Sequence, residues 1–520
     1  MSPRCDVCVI GSGVAGGVVA EEVLAAGRRD VLMLEAGRPA LMRDHRTWLD
    51  AWMGEPRDPF AAHTYAPAEY VSTGDPRLEL RGGLLRARGG STLHWEGMCF
   101  RLKPEDFKLH SSVSLGADWP IDYAALEPYY ALAEQTLQVA GDASDPGHPP
   151  RSGPFPLPPF PAQAADERFI DAMAALGHST QYCCIARNSR PIHGMAQCQQ
   201  TGTCQYCPIG GRFTGDQLID RLMERPGFRL LTGVSALRLI FTSKKRAAAV
   251  EILDQSTGRI DRVEAETFVV CAGAVESPKL LLASACPEWP RGAANDRGRV
   301  GRALASHAVQ TGTATDRAPN RERVSHELAF VTTVSRAFDT AEHQRQGKFL
   351  LWPLGTRAPL DFMLLAGEDA AQIDRELAAP RLHGLTFQLE PIAQDSNYVT
   401  LESGQDALGL PRTRVHHAQD DTVRAGAAAA RKSCERIFAE IGCGDVTWTP
   451  LDVSSHFLGT CRMSDDPGGG VVSRELQLHG VDNVYLCGSA VFPSVGAANP
   501  TLTIVALAHR LGRLLRERHA

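Results

Sequence analysis

One stretch near the N-terminus, CDVCVIGSGVAGGVVAEEVLAAGRRDVLMLEAG (residues 5–37), restricts the fold more than any other part of the chain. Cys5–Ile10 is a short apolar run with β-branched residues, Val14 to Ala26 is rich in helix formers and stops at Gly27, and Val31–Leu34 is a second apolar run. That order predicts strand, turn, helix and parallel strand. Gly11, Gly13 and Gly16 form G-x-G-x-x-G at the first junction. Missing side chains there allow a tight turn, close approach of a pyrophosphate, and packing of helix on strand, while the helix start offers free N–H groups and a positive dipole end. Glu35, nineteen residues beyond Gly16, falls at the end of the second strand, where a carboxylate accepts both ribose hydroxyls and disfavours a 2′-phosphate. A glycine turn without a ligand is the bland alternative, and these residues do not separate FAD from NAD.

A second informative block runs from Ser454 to Leu515. Val484 to Cys487 reads as a buried strand ending at Gly488 and Ser489. Pro500 opens an amphipathic helix with Leu502, Val505, Leu507, Leu511 and Leu515 on its buried face. Pro500 at the first helical position places Asn499 at the N-cap, so capping is the ordinary role for this asparagine. A helix start aimed at a flavin would also stabilise negative charge on its ring, and a side-chain amide there would hold a substrate oxygen. His456 precedes a Gly-Thr turn; taken alone, such a histidine is more often structural than a base.

Five segments occur in order over nearly the whole chain: GSGVAGG (11–17), GGLLRARGGSTLHWEGM (82–98), CAGAVESPKLLLAS (271–284), HFLGTCRM (456–463) and GAANPTLT (496–503). Together they resemble the glucose-methanol-choline (GMC) family of FAD-dependent oxidoreductases. The resemblance implies an α/β fold, with a discontinuous Rossmann-like FAD domain (1–110, 195–308 and 451–520) and a substrate domain on an antiparallel sheet (111–194 and 309–450). It implies FAD rather than NAD, and a catalytic pair of His456 and Asn499. An alcohol carbon yields hydride only as its hydroxyl proton leaves, so a neutral imidazole is a fitting base. Gly89, Gly90 and Ser91 match the family's flavin-adjacent loop. His94, before Trp95, matches a position that carries the flavin covalently in some relatives and only packs in others. Val234 falls where relatives lay backbone against adenine, and Gly273, Gly488, Ser489 and Thr501 complete the expected cofactor contacts. Asn397 and Thr400 are expected to be scaffold; the stretch from Asp316 to Glu376 carries no assignable motif.

CQQTGTCQYCPIG (198–210) brings Cys198, Cys204 and Cys207 together as C-x5-C-x2-C before a proline. Locally it is similar to catalytic subunits of bacterial sugar dehydrogenases, in which three cysteines before PIG hold a [3Fe–4S] cluster. The last interval here is one residue shorter than that pattern. Clustered cysteines ending in Cys-Pro are also a ferredoxin arrangement. Zinc would need a fourth ligand such as Cys183, Cys184 or His193; a disulfide would leave one thiol over; a loop of plain thiols is the remaining reading. Fourteen cysteines in 520 residues are too sparse for a disulfide scaffold.

The leading expectation is a dehydrogenase acting on a hydroxyl of a sugar or polyol. Electrons would pass through the thiol loop to a haem or quinone partner, beside a small subunit. An oxygen-using oxidase and a non-redox flavin lyase are the rivals. A net charge of −6 with scattered basic residues argues against nucleic acid as a partner. No apolar run is long enough for a membrane span. The N-terminus enters a strand pattern at once, so a cytoplasmic location is expected unless a signal-bearing small subunit carries the chain to the periplasm.

Overall fold

Apolar runs buried on both faces belong in a parallel sheet covered by helices, and the N-terminal stretch folds that way. A computed structural model describes residues 3–518 apart from 26, 28, 41, 45, 47–59, 200–205, 244, 317–329, 346, 356–366 and 380–381. Strand Arg4–Ile10 pairs in parallel with Val31–Glu35 on one side and with Ile260–Val270 on the other. Phe228–Thr232 extends the sheet beyond Val31–Glu35, again in parallel. The long strand Ile260–Val270 divides its far edge between two neighbours. Its first half runs antiparallel to Arg246–Asp254, which pairs with Val234–Ser243; its last three residues run parallel to Val484–Leu486.

Helix Val14–Leu24 ends two residues short of the expected Ala26, with Gly27 at φ +73° just beyond. It packs closely on the C-terminal helix Thr501–Arg518, where a side chain at Gly512 would stand 2.5 Å from Glu22 Cβ. Glu22 accepts from buried His509 Nδ1 at 2.8 Å and is flanked by Arg513 and Arg516. All five residues predicted for the apolar face of this helix are buried.

The expected antiparallel sheet is present, in the order Phe349–Gly355, Leu382–Leu389, Ala308–Asp316 and Cys443–Trp448. Period-two alternation gives it two unlike faces. Phe349, Leu351, Leu385, Phe387 and Leu389 form a core with Phe438 and Ile437 of helix Asp421–Ile441. That helix is capped at its start by Asp420, whose side chain accepts from Val423 N, and it stops at Gly442, φ +86°. The opposite face presents Val309, Trp352 and Gln388 to a cavity shared with the parallel sheet. Among the described residues no helix is long and apolar enough to cross a membrane.

Candidate active site

The cavity, about 820 Å³, opens where the parallel strands end, at Ile10, Glu35, Cys271 and Gly488. Carboxyl ends of parallel strands are where open α/β sheets bind ligands. The three N-terminal glycines serve two different needs. A side chain on Gly11, φ +108°, would lie 2.6 Å from Cys271 O, and one on Gly16 would lie 2.1 Å from Gly11 O, so both are required by packing. Gly13 is open: no protein atom lies within 4 Å of where its Cβ would be, and it caps helix Val14–Leu24 with no side-chain bond to the first N–H groups. Glu35 is buried and accepts from Ser12 N at 3.0 Å, Ser12 Oγ at 2.7 Å and Gly37 N at 2.7 Å. Burial pushes its carboxyl up, and these donors oppose the shift.

Val234, Gly273, Gly90, Ser91, His94, Gly488, Ser489 and Thr501 all line the cavity. Gly273 (φ +72°) and Gly488 (φ +125°) leave open space where a side chain would stand. Gly273 itself begins helix Gly273–Ala283. Gly89 is set back from the wall: its Cβ would meet Asp216 N at 2.5 Å, so this glycine serves packing rather than ligand approach. The His94 ring stands edge-on to Phe60, centroids 5.9 Å apart.

His456 and Asn499 come to the same cavity from segments far apart in the chain. The Gly-Thr turn after His456 has a mechanical purpose. Gly459, φ +90°, brings backbone against Ala303 O, which a Cβ would approach to 2.4 Å, and Thr460 Oγ1 donates to Ala274 O at 2.7 Å, tying the loop to helix Gly273–Ala283. Burial pushes the His456 imidazole down to about 4, so it is neutral at pH 7. Asn499 is not the cap expected from sequence. Pro500 O accepts from Ile504 N at 3.0 Å, so Pro500 takes the half-in position and Asn499 lies one residue outside the helix. Asn499 lines the cavity, and its Oδ1 is buried with no hydrogen-bond partner.

Sequence reasoning missed four residues here. His307 is fully buried and places Nδ1 3.0 Å from His456 Nδ1. Val309, Trp352 and Gln388 form the wall contributed by the antiparallel sheet. Strand periodicity would have revealed the sheet's two faces, but no motif marks His307. Asn397, by contrast, is the scaffold expected of it, exchanging side-chain bonds with Ala418 N and O.

Cys204 lies outside the described residues. Cys198 and Cys207 are half-buried free thiols, while Cys183 and Cys184 are buried, and among the described residues no group of three His, Cys, Asp or Glu could hold a metal ion. A side chain on Gly211 would lie 3.0 Å from Cys198 Cα, and the next residue, Arg212, donates to Leu93 O and Trp95 O on either side of His94.

A glycine cradle at the ends of parallel strands, facing a neutral imidazole and an unpartnered amide oxygen, defines a dinucleotide-dependent oxidoreductase. The chain belongs to the GMC oxidoreductase family: two GMC oxidoreductase models match residues 158–309 and 393–508. It is an FAD-dependent enzyme acting on CH–OH donors. It is 29% identical to the fructose dehydrogenase large subunit of Gluconobacter japonicus, over 97% of this chain and 96% of that one. It is 31% identical to 6'''-hydroxyparomomycin C oxidase of Streptomyces lividus, over 98% and 91%. Among solved structures, pyridoxine 4-oxidase from Mesorbium loti shares the fold, with TM-score 0.65, 20% identity and 99% of both chains covered.

Proposed function

We propose that the chain oxidises a hydroxyl-bearing carbon of a sugar or polyol, with His456 as the base for the hydroxyl proton and Asn499 as the group that holds the substrate at the cavity wall. The observation that carries this reading is that one cavity, lined by the glycine cradle, also takes a half-buried neutral imidazole and the Asn499 side chain.

The residues present suit FAD. Gly13, Gly273 and Gly488 leave open space at the strand ends, Glu35 lines the cavity at the end of the second strand, and Gly90, Ser91 and His94 line it too, with Gly90 packed beside Gly13. Bound FAD supplies the acceptor for the hydride that leaves the substrate carbon. His456 takes the proton as the O–H bond breaks, so the carbonyl product forms with electrons and proton separated. In this proposal residues 1–110, 195–308 and 451–520 form the FAD-binding domain, and 111–194 with 309–450 the substrate domain. All strands of the parallel-centred sheet come from the first set and the four main strands of the antiparallel sheet fall essentially in the second, while Tyr70–Asp75 pairs with Pro411–Ala418 across the division.

The proposal extends to electron exit: Cys198, Cys204 and Cys207 hold an iron–sulfur cluster that passes electrons to an external acceptor. The closeness of Cys198 to Gly211, next to an arginine bonded to Leu93 O and Trp95 O, supports this, as does similarity to a protein named as a dehydrogenase large subunit. The test is anaerobic mixing of purified protein with D-fructose, D-glucose, gluconate and sorbitol, following the flavin absorbance, with iron, labile sulfide and peroxide assays alongside. Reduction by a sugar or polyol with little peroxide under air is expected, and His456→Ala should slow it by about 10²-fold or more while FAD stays bound. Wild-type rates in that variant would remove His456 from the mechanism. Peroxide release without iron would make the enzyme an oxidase. Acid precipitation tests attachment at His94: a covalently held flavin stays with the protein.

A further inference from the structure

We propose that His307 is a positioning residue that holds His456 in the Nδ1–H tautomer, leaving Nε2 as the only nitrogen able to accept the substrate proton. The inference rests on His456 being the base and adds which atom of it acts and why.

The argument starts at a backbone carbonyl, which can only accept. His307 Nε2 lies 3.1 Å from Gly496 O, so Nε2 carries a proton and donates. His307 is fully buried, and burial holds its ring well below the usual imidazole range, so it is neutral and its Nδ1 is a bare acceptor. That Nδ1 stands 3.0 Å from His456 Nδ1, with the rings nearly perpendicular at 89°. Two bare nitrogens would repel, so the proton between them belongs to His456. A neutral His456 then has its lone pair on Nε2.

The carbonyl at the head of this chain cannot turn away. Gly496, φ +58°, has no room for a side chain, because a Cβ would sit 2.7 Å from the Asp106 carboxylate. Its loop is pinned by Ser494 Oγ to Asp106 O at 2.8 Å, by Trp119 Nε1 to Ser494 Oγ at 2.9 Å, and by Gln388 Nε2 to Ala497 O at 2.9 Å. Asp106, the charged group against Gly496, is paired with buried Lys348, so no bare charge acts on the histidines from that side. The segments that carry them are tied across by Ala305 and Leu458, which exchange N–H···O bonds of 3.0 Å, and by Ser454 N to His307 O at 2.8 Å. During turnover the substrate O–H bond breaks, an N–H bond forms at His456 Nε2, and the Nδ1 proton stays in place. The resulting imidazolium strengthens its bond to His307. Gly496 O cannot pass a proton on, so the proton on Nε2 leaves through the cavity.

The test uses holoenzyme labelled with 15N-histidine, in which the His456 signals are those lost in His456→Ala. Wild-type protein should show His456 unprotonated at Nε2. His307→Leu should give a mixture of tautomers, and His307→Asn, which sets an amide oxygen near the former Nδ1, should restore the wild-type pattern. With D-fructose as reductant, flavin reduction in His307→Leu should fall at least about 10-fold, and the acid limb of its pH profile should move to lower pH, since the imidazolium has lost an acceptor. His307→Asn should stay within about 3-fold of wild type, because a neutral bond of the same sense is kept. A wild-type His456 protonated at Nε2, or a His307→Leu enzyme with an unchanged tautomer and pH profile, would overturn the inference. Undiminished reduction by His456→Ala would instead overturn the assignment of the base, whatever tautomer is found.

Discussion

At the scale of single residues, two glycines of one motif make opposite predictions. Gly13 has ordinary backbone angles, φ −64° and ψ 175°, and no neighbour within 4 Å of a would-be Cβ. Gly13→Ala should therefore leave the melting temperature of the apoprotein unchanged while lowering FAD affinity, because the added methyl enters the ligand's space. Gly16→Ala meets the backbone oxygen of Gly11 at 2.1 Å. Backbone cannot yield as a side chain does, so this variant should lose about 1–3 kcal/mol or more of stability whether or not FAD is present. Apoprotein melting curves and FAD titrations check both, and equal behaviour of the two variants would contradict the division of roles. Both glycines were legible as a motif. The family resemblance groups Gly89 with Gly90 and Ser91 beside the flavin, and a resemblance cannot tell which glycine of the loop also packs on the N-terminus of helix Gly215–Met223, as Gly89 does.

At the scale of elements, the strand Leu382–Leu389 carries an energetic burden just past its end. Glu390 is buried, and neither carboxylate oxygen has a hydrogen-bond partner. Burial is the largest influence on it and pushes its carboxyl up to about 7, against the attraction of Lys348. An unfolded glutamate titrates near ~4.3, so between there and about 7 the folded chain binds the extra proton. Stability is therefore lost as pH rises through that window and remains lower above it. Glu390→Gln should raise the melting temperature at pH 8 and much less at pH 5, a difference of roughly 2 kcal/mol in stability. An equal gain at both pH values would mean that Glu390 is not protonated in the folded chain. Nothing in its surroundings could be read beforehand, because Asp106, Asp339 and Lys348 reach it from three other parts of the chain.

At the scale of the whole molecule, the cofactor seat is assembled from segments around Gly11, Glu35, Gly90, Val234, Gly273 and Gly488. A ligand bridging them binds only the folded chain. Protein expressed under riboflavin limitation should melt at a lower temperature than holoprotein and recover on adding FAD, by about 2.7 kcal/mol at a hundredfold excess over Kd. An unchanged melting temperature would argue that FAD does not span these segments. The amino-acid order alone determined the strand–glycine–helix unit, the acid at Glu35, the C-terminal amphipathic helix and the candidacy of His456 and Asn499. Each of those signals is carried by turn chemistry, periodicity or short motifs, which act over a few turns of chain. Tertiary structure alone decided that His307, 149 residues from His456, meets it Nδ1 to Nδ1, that Asn499 Oδ1 has no hydrogen-bond partner, and that Val309, Trp352 and Gln388 line the cavity. Such contacts arise when distant segments bury their surfaces against one another, and no local pattern records which partner each side chain will meet.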